Sequence, residues 1–572
     1  MGFHSLSRKD VQMGRTYLDF IRKEIIGKDL IFETPFGLRN MFYADYTASG
    51  RGLRFIEEKL LHIQRSYANT HTEDDYSGKY LTQLFHQAAE RIKQLVQAGE
   101  KGKIFPVGSG STGALKKLQE IIGVYIPPLT RERLYESCSE VKKKGTDVRP
   151  NIERRSPVVF IGPYEHHTNE LMWREAFAEV VVVGLGADGA LDLDDLERKI
   201  SDPRYKGRIK FGSFSAGSNI TGIRTAVHEV AQICHKHKAA VFFDYAAIAP
   251  YVEINMNRDR DSYFDAIFFS PHKFLGGPGS SGILVMNENL YRRDLPPTTA
   301  GGGTVIYVGF EHHDYSDDIE TREMAGTPPI LQTIKAALAM EVKEKIGVGT
   351  IEKIERKHLT YFMEKLKKTK NIRLVGRYDA EDQTPIVSFN IKHRDKILHP
   401  KFVTKLLNDL FGIQSRAGCS CAGPYGHILL GIDKPTSVRF RDVIAQGFQG
   451  IKPGWVRINL HYTFTKSDVD FLLKAIAFVA RSGYLFLERY AFDFASGEWT
   501  AVGFDEKIPK FSLESEFEAP SADLSKLKKM RAVYFRDARR HAQELETRQK
   551  TAFVEDRKEI ENLKYFYYAH RT

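Results

Sequence analysis

The sequence predicts an α/β protein. It reads as a large three-layer domain on a mainly parallel, mixed sheet, then a smaller α/β domain, then a charged C-terminal extension. Two observations carry the large domain. Short apolar runs recur at residues 158–161, 180–183, 209–213, 241–243, 266–269 and 283–285. Runs apolar on both faces suit strands covered by helices on either side. Between two of these runs, Ile223, Val227, Val230 and Cys234 recur at three- and four-residue spacing, the stripe of a crossover helix. Lys236, His237 and Lys238 put positive charge at its end, where the dipole favours it, and a strand resumes at Ala240. This strand–helix–strand rhythm argues a parallel sheet.

The other elements follow in chain order. Residues 1–45 read as an N-terminal arm joining the small domain, with a short strand at 42–46 and a turn at Thr47, Ser49 and Gly50. Residues 51–98 carry two helical patterns separated by a polar loop at 69–75. A strand at 104–107 leads into the glycine-rich loop 108–113 and a helix at 114–122. Residues 126–156 are charged and lack a steady period, so they read as a surface insertion. The large domain is expected over 46–335. The small domain is expected over 336–485, with helices at 330–347 and 351–367 around the boundary and strands at 385–392, 411–416 and 455–461. Beyond 485 the chain turns rich in Glu, Lys, Tyr and Arg. Residues 524–572 hold 13 basic and 7 acidic side chains, a net +6, which predicts a charged helix lying on the body.

Composition narrows the function classes. Charged residues are 27% and hydrophobic residues 42%, ordinary for a soluble globular chain. No apolar run approaches the ~20 residues that span a bilayer, so no membrane partner is expected. The polar first fourteen residues show no secretory signal. The four cysteines, Cys138, Cys234, Cys419 and Cys421, are too few for a disulfide scaffold. Thiols in a reducing, cytoplasmic compartment fit better. The net charge of +11 is spread along the chain rather than clustered, which argues against a nucleic-acid partner.

The sharpest candidate site lies between Asp244 and Lys273. Asp244 ends one strand and Lys273 stands just past another, in the turn-rich setting Ser270-Pro271-His272-Lys273. Ligands of parallel α/β sheets sit beyond such strand ends. A lysine there can form a Schiff base with an aldehyde cofactor, and a carboxylate can pair with a protonated pyridine nitrogen. Lysines after strands are more often merely solvated; the surrounding glycines and Pro271 raise the odds here. The 108–113 loop can hold a phosphate on backbone amides, with Ser111 and Thr112 as donors. It lacks the Gly-Lys-Ser/Thr of a nucleotide loop, and a plain flexible turn is the bland alternative. His166, after the 158–161 strand, can stack on a flat ring. Asn219 can donate to a phenolic oxygen, or simply cap its loop.

Late in the chain, Arg416 precedes a Gly-flanked Cys419-Ser420-Cys421 loop. Such a pair can be a disulfide, half a zinc site, or a nucleophile with a neighbour. Positive charge beside an exposed thiol favours the nucleophile. The adjacent His166 and His167 have poor metal spacing and no second cysteine pair exists, so no metal is expected. Arg457 lies on a strand that is otherwise buried. It reads as a clamp on a substrate carboxylate or as half of an internal salt bridge.

Together, from about residue 40 to about 485, these residues resemble the fold-type I pyridoxal-phosphate enzymes, in particular the class V aminotransferase superfamily and its cysteine desulfurase and selenocysteine lyase branch. The resemblance implies pyridoxal 5'-phosphate on Lys273 of the Ser-x-His-Lys motif and Asp244 at the ring nitrogen. It implies His166 stacked on the ring, Asn219 at the ring oxygen, and Thr112, Ser111, Ser270 and His272 around the phosphate. The family's Glu-x-Gly-Thr-Pro segment is matched loosely from Glu323 to Pro328. Arg457, with Arg416 near it, would bind the substrate carboxylate. The family's Arg-x-Gly-x-x-Cys pattern puts the persulfide on Cys421 rather than Cys419; molybdenum-cofactor sulfurases show a similar Gly-Cys-x-Cys. Family members usually form homodimers, and Thr304 of the Gly301–Thr304 turn resembles a phosphate contact lent to the partner subunit. The expected activity is L-cysteine to L-alanine, with sulfur passed to a thiol or protein acceptor. The alternatives are selenocysteine or C–S lysis, cofactor sulfuration, and aminotransfer or epimerisation. The chain departs from the family at Ala247, where desulfurases often carry Gln.

Overall fold

Six of the apolar runs, joined by the strand before the glycine-rich loop, form one seven-stranded sheet in a computed structural model of the chain. The structure describes residues 8–70, 72–141, 155–378, 383–515, 520–547 and 553–569. The chain folds as two compact units. The first holds the described residues through Glu24, with Ser49–Asn219 and Ile223–Ile351. The second holds Ile25–Ala48, Ile220–Gly222 and the described residues from Glu352 onward. The division therefore falls after Ile351 rather than after residue 335, and helix Ile330–Ile346 belongs to the first unit. That helix packs against helix Tyr76–Leu95, burying Ile334, Ala337 and Met340 on one face.

In chain order, β1 (Ile31–Thr34), β2 (Gly37–Asn40) and β3 (Phe42–Tyr43) come first and belong to the second unit. The first unit's sheet is built from β4 (Gly102–Val107), β5 (Val158–Ile161), β6 (Glu179–Val182), β7 (Lys210–Ser215), β8 (Ala239–Asp244), β9 (Ala266–Phe269) and β10 (Gly282–Asn287). The spatial order is β4-β10-β9-β8-β7-β5-β6. Strands β6, β5, β7, β8 and β9 pair in parallel, and β10 runs antiparallel to both its neighbours. The expected mixed sheet is thus present, and its inner strands β5 and β9 are buried on both faces, whereas edge strand β6 is not. One layer of core joins Phe105, Leu115, Leu118, Val159, Trp173, Phe242 and Phe268. The crossover helix is Val227–Lys236, with Val230 and Cys234 inward; Ile223 is buried just before it. A smaller hairpin, β11 (Val305–Val308) with β12 (His313–Tyr315), projects from the same unit.

The second unit centres on an antiparallel sheet. Its strands are β13 (Ile372–Leu374), β14 (Ile386–His393), the short β15 (Lys396–Ile397), β17 (Arg416–Gly418) and β18 (Trp455–Asn459). The order is β13-β14-β18-β17 with β15 on β14. The single strand expected at 411–416 is two pieces, because β16 (Ile413–Gln414) leaves the sheet to pair in parallel with β3. The extension adds a hairpin, β19 (Tyr490–Asp493) with β20 (Glu498–Ala501), and helix Leu527–Glu546. That helix buries Tyr534, Ala538, Ala542 and Leu545 at helical spacing. Tyr534 Oη accepts the Asn40 backbone N–H at 3.0 Å, and Arg531 pairs with Asp468 at 2.8 Å.

Part of the 126–156 insertion is regular, a helix at Pro128–Val141. Pro128 is tolerated in a first helical turn, where its missing N–H has no intrahelical partner anyway. Leu129 and Leu134 are exposed and Tyr135 is buried, so no apolar stripe runs along the described side chains of this helix. Residues 142–154 of the insertion, and the Cys138 side chain, lie outside the described residues.

Candidate active site

Lys273 closes a one-turn 3-10 helix, Pro271–Lys273, entered from the end of β9. Backbone holds this turn in place. Gly50 N–H donates to the His272 carbonyl at 2.9 Å, and Gly276 N–H donates to the Arg51 carbonyl at 2.7 Å. A Cβ on Gly50 would collide with the Phe274 carbonyl, and one on Gly277 with that of Pro271. Gly277→Ala is therefore expected to displace the lysine turn and to cost about 1–3 kcal/mol of stability, read by denaturant unfolding. His272 Nδ1 lies 3.3 Å from Ser49 Oγ. Burial and the neighbouring Lys273 charge push the His272 imidazole down to about 4, so it is neutral near pH 7.

Asp244 ends β8, beside β9, and is 3% exposed. Its Oδ1 accepts the Ala246 N–H at 2.8 Å. Burial pushes its carboxyl up to about 6, while the Ala246 bond and the Lys273 charge draw it back. Lys273 and Asp244 thus sit within electrostatic reach, as the sequence suggested. A buried carboxylate in this state favours a cationic partner.

The glycine-rich loop meets the same strand ends. Ser111 N–H donates to Ser270 Oγ at 2.8 Å. Gly110 has φ +59°, and a Cβ there would fall 2.9 Å from Ser270 Oγ. The helix after the loop starts at Gly110, four residues earlier than predicted, and the Ser109 side chain makes no capping bond. Thr112 Oγ1 lies 2.8 Å from Thr168 Oγ1, so this helix start meets that of helix His167–Arg174. Two helix N-termini with hydroxyls between them favour an anion. His166 caps the second helix: its Nδ1 accepts the Thr168 N–H at 3.2 Å. That bond assigns the ring proton to Nε2. Asn219 is buried on a loop tied back to this site, since Ala216 N–H donates to the Asp244 carbonyl and Thr225 N–H to the Ala216 carbonyl, both at 2.9 Å.

Sequence reasoning missed Glu165. It is 3% exposed and accepts four hydrogen bonds. Oε1 takes the Gly162 N–H at 3.0 Å and the Ser215 N–H at 2.9 Å. Oε2 takes Asn169 Nδ2 and Ser215 Oγ, both at 2.6 Å. Ser215 is also the register partner of Asp244, so Glu165 ties the His166 loop to the strand pair that carries Asp244. Burial pushes the Glu165 carboxyl up to about 7 despite these bonds, and Asp244 adds to the shift. Glu165→Ala leaves several buried donors unmatched and is expected to destabilise the chain by roughly 3 kcal/mol or more. The pH dependence has a definite sign. With both carboxyls raised, the folded state binds more protons than the unfolded one, so their stabilisation is full in acid and is lost as pH rises. The loss runs from about pH 4 to about pH 7, through the folded values of about 6 for Asp244 and about 7 for Glu165. Glu165→Gln should flatten much of that fall in urea titrations at pH 5 and pH 8.

Two further residues sit in hydrogen bonds of their own. Thr304 is fully buried and its hydroxyl donates to the Gly301 carbonyl at 2.7 Å, closing its own turn. Glu323 anchors a buried network, with Lys117 Nζ and Thr298 Oγ1 at 2.6 Å and Tyr291 Oη at 2.7 Å.

The second unit holds a separate cluster. Arg457 lies on β18, 3% exposed, and its Nη2 is 3.0 Å from Asp45 Oδ1. The internal salt bridge, one of the two readings of this residue, is therefore present. Arg416 stands directly across the β17–β18 ladder. Burial lowers the Arg457 pKa; Asp45 and Cys421 counter this, and Arg416 adds to it. Cys421 thus lies within electrostatic reach of a buried guanidinium. It is half-buried, whereas Cys419 is exposed.

Pyridoxal 5'-phosphate fits the first unit's residues on two observations: a buried carboxylate that favours a cation lies within electrostatic reach of a strand-end lysine, and a glycine loop with two helix starts and several hydroxyls meets the same strand ends.

Comparison with known proteins agrees with the fold. A protein named probable cysteine desulfurase from Halalkalibacterium halodurans is 25% identical over 441 residues, covering 76% of this chain and 92% of its own. One of the same name from Staphylococcus aureus strain Mu50 is 28% identical over 406 residues, covering 70% and 88%. Among solved structures, the apo cysteine desulfurase of Thermococcus onnurineus NA1 superposes with a TM-score of 0.60 at 22% identity, covering 81% of this chain and 98% of that one. The cysteine desulfurase CsdA of Escherichia coli gives 0.58 at 21%, covering 80% and 97%. Its strand-end lysine and aspartate, its mixed sheet and the match of residues 149–472 to the family described as Aminotransferase class-V mean that this chain belongs to the class-V aminotransferase family.

Proposed function

We propose that the chain is a pyridoxal-phosphate-dependent cysteine desulfurase. It would convert L-cysteine to L-alanine, keep the sulfur as a persulfide on Cys421 and pass it to an acceptor thiol. The observation that carries this reading is Lys273 within electrostatic reach of buried Asp244 at the strand ends, in a chain that also sets Cys421 near a buried guanidinium. The names of its relatives point the same way.

When bound, pyridoxal phosphate supplies an aldehyde and an electron-withdrawing ring that stabilises negative charge at the substrate Cα. Lys273 would hold the aldehyde, and Asp244 would keep a proton on the ring nitrogen. Ser111, Thr112, Ser270 and His272 would bind the phosphate. His166 offers a flat ring with its proton on Nε2, and Asn219 a donor for the ring oxygen. Lys273 Nζ then moves the Cα proton. Arg457 and Arg416 bind the substrate carboxylate, which has to compete with Asp45 for Arg457. Cys421 Sγ attacks the substrate sulfur; the carbon–sulfur bond breaks and a sulfur–sulfur bond forms. L-Cysteine and one thiol give L-alanine and one persulfide, so no outside oxidant is needed.

Two settings go with this reading. The β11–β12 hairpin leaves Ile306, Tyr307, Val308 and Phe310 exposed, which supports a homodimer, to be checked by sedimentation equilibrium. Among the described residues no helix is long and apolar enough to cross a membrane, and Cys234, Cys419 and Cys421 are free. Free thiols suit a reducing, cytoplasmic setting. The test of the activity is incubation with L-cysteine. Alanine should appear together with one added sulfur on Cys421. Pyruvate and sulfide in place of alanine would instead mark a lyase.

A further inference from the structure

We propose that Cys419 is a second sulfur carrier, which takes the outer sulfur of the Cys421 persulfide and presents it to the acceptor. The inference rests on the desulfurase reading above and concerns what happens after the persulfide forms.

Three observations in the 416–424 loop lead to it. First, both thiols belong to one reverse turn. Ala422 N–H donates to the Cys419 carbonyl at 3.2 Å, and the central residues Ser420 and Cys421 have φ of +50° and +57°. These are the φ signs of a type I′ turn, which ordinarily takes Gly or Asn at both places. Two consecutive non-glycine residues in this region store strain, and such strain gathers at functional sites. Here it confines Cys419 and Cys421 to the two sides of a single bend.

Second, the two thiols differ in access. Cys421 is half-buried and within electrostatic reach of the buried Arg457 guanidinium. Cys419 is exposed, where a bulky acceptor can reach it. The contrast with Cys234 is clear: that thiol is fully buried, and burial pushes its pKa far above the ordinary range, so it takes no part.

Third, there is open space just before Cys419. Gly418, just before Cys419, has φ +113°, and no atom lies within 4 Å of the place a Cβ would take. Neither thiol is tied up in a disulfide.

The step balances without an oxidant. The Cys419 thiolate attacks the outer sulfur of the Cys421 persulfide. One sulfur–sulfur bond breaks and another forms, Cys421 leaves as a thiolate, and the persulfide now resides on Cys419. Attack on the inner sulfur would instead release sulfide and close a disulfide between residues two apart. Disulfide geometry, with its fixed dihedral and Cα separation, makes so small a ring a poor product. Transfer of the outer sulfur avoids that ring and returns Cys421 to accept another substrate sulfur.

The test is a burst measurement on the full-length, cofactor-loaded protein, with a few equivalents of L-cysteine per chain, no added acceptor thiol, and the burst read before slower turnover onto the substrate's own thiol. Alanine is counted per chain, and tandem mass spectrometry after alkylation locates the added sulfur. The relay predicts a burst of two alanines per chain, with one sulfur on each of Cys419 and Cys421. Cys419→Ser, an exposed change that leaves the fold alone, should halve the burst and confine the sulfur to Cys421. Cys421→Ser should give no burst and leave Cys419 unlabelled. Three results would overturn the relay while leaving the desulfurase reading intact: a wild-type burst of one with sulfur on Cys421 alone, two sulfurs stacked on Cys421, or loading of Cys419 in Cys421→Ser. A wild type that releases no alanine and gains no sulfur would overturn both.

Discussion

Replacing Lys273 with alanine is expected to abolish alanine release from L-cysteine, a fall of at least about 10³-fold. General acid–base catalysis by one positioned group is worth about 10²–10⁴ in rate, and Lys273 would also anchor the cofactor. The variant should still fold. Its turn is held by backbone bonds from Gly50 and Gly276, and none of them passes through the lysine side chain. The electrostatic consequence falls on Asp244. Loss of the neighbouring charge removes one of the two influences that draw its carboxyl down from the effect of burial, so Asp244 should protonate more readily. A small primary amine added to the variant should recover part of the rate if the pocket is intact. Steady-state assays with and without such an amine, beside a thermal melt matching wild type, check both parts.

Replacing Cys421 with alanine should leave the colour of the bound cofactor unchanged and remove the persulfide. Alanine release should fall on the order of 10⁴–10⁶-fold, the range seen when a member of a catalytic unit is lost. The two variants separate the two kinds of chemistry. Lys273 works on carbon and holds the aldehyde; Cys421 works on sulfur. A Cys421→Ala protein that kept both its absorbance and its full rate of alanine release would assign the sulfur chemistry elsewhere. The fold is not at risk in this change, because Cys421 is half-buried and already strained at φ +57°.

Much of this was legible in the sequence, for physical reasons. A strand buried on both faces must be apolar throughout, so β5 and β9 declare themselves within a residue or none. A turn that packs backbone on backbone needs glycine, so the surroundings of Lys273 were marked by Gly276 and Gly277. What stayed hidden depends on burial rather than pattern. The helix Pro128–Val141 has no apolar stripe because it covers little, and the two hairpins β1–β2 and β19–β20 are too short for alternation to register. Glu165 was read past because the histidines beside it drew the chemical argument. Its four donors come from Gly162, Asn169 and Ser215, and only the fold brings Ser215 to it. A carboxylate three places beyond a glycine at a strand end was the available signal. Arg457 was correctly identified as needing a partner, but Asp45 lies 412 residues away in sequence, so the salt bridge could not be chosen over the substrate clamp.

The account rests on the amine of Lys273 holding pyridoxal phosphate, and one labelling measurement tests that most directly. The protein is incubated with pyridoxal phosphate, reduced with borohydride, digested and mapped by mass spectrometry. The predicted result is one phosphopyridoxyl group per chain, on Lys273, absent from the Lys273→Ala variant. Label spread over surface lysines, with Lys273 unmodified, would contradict it.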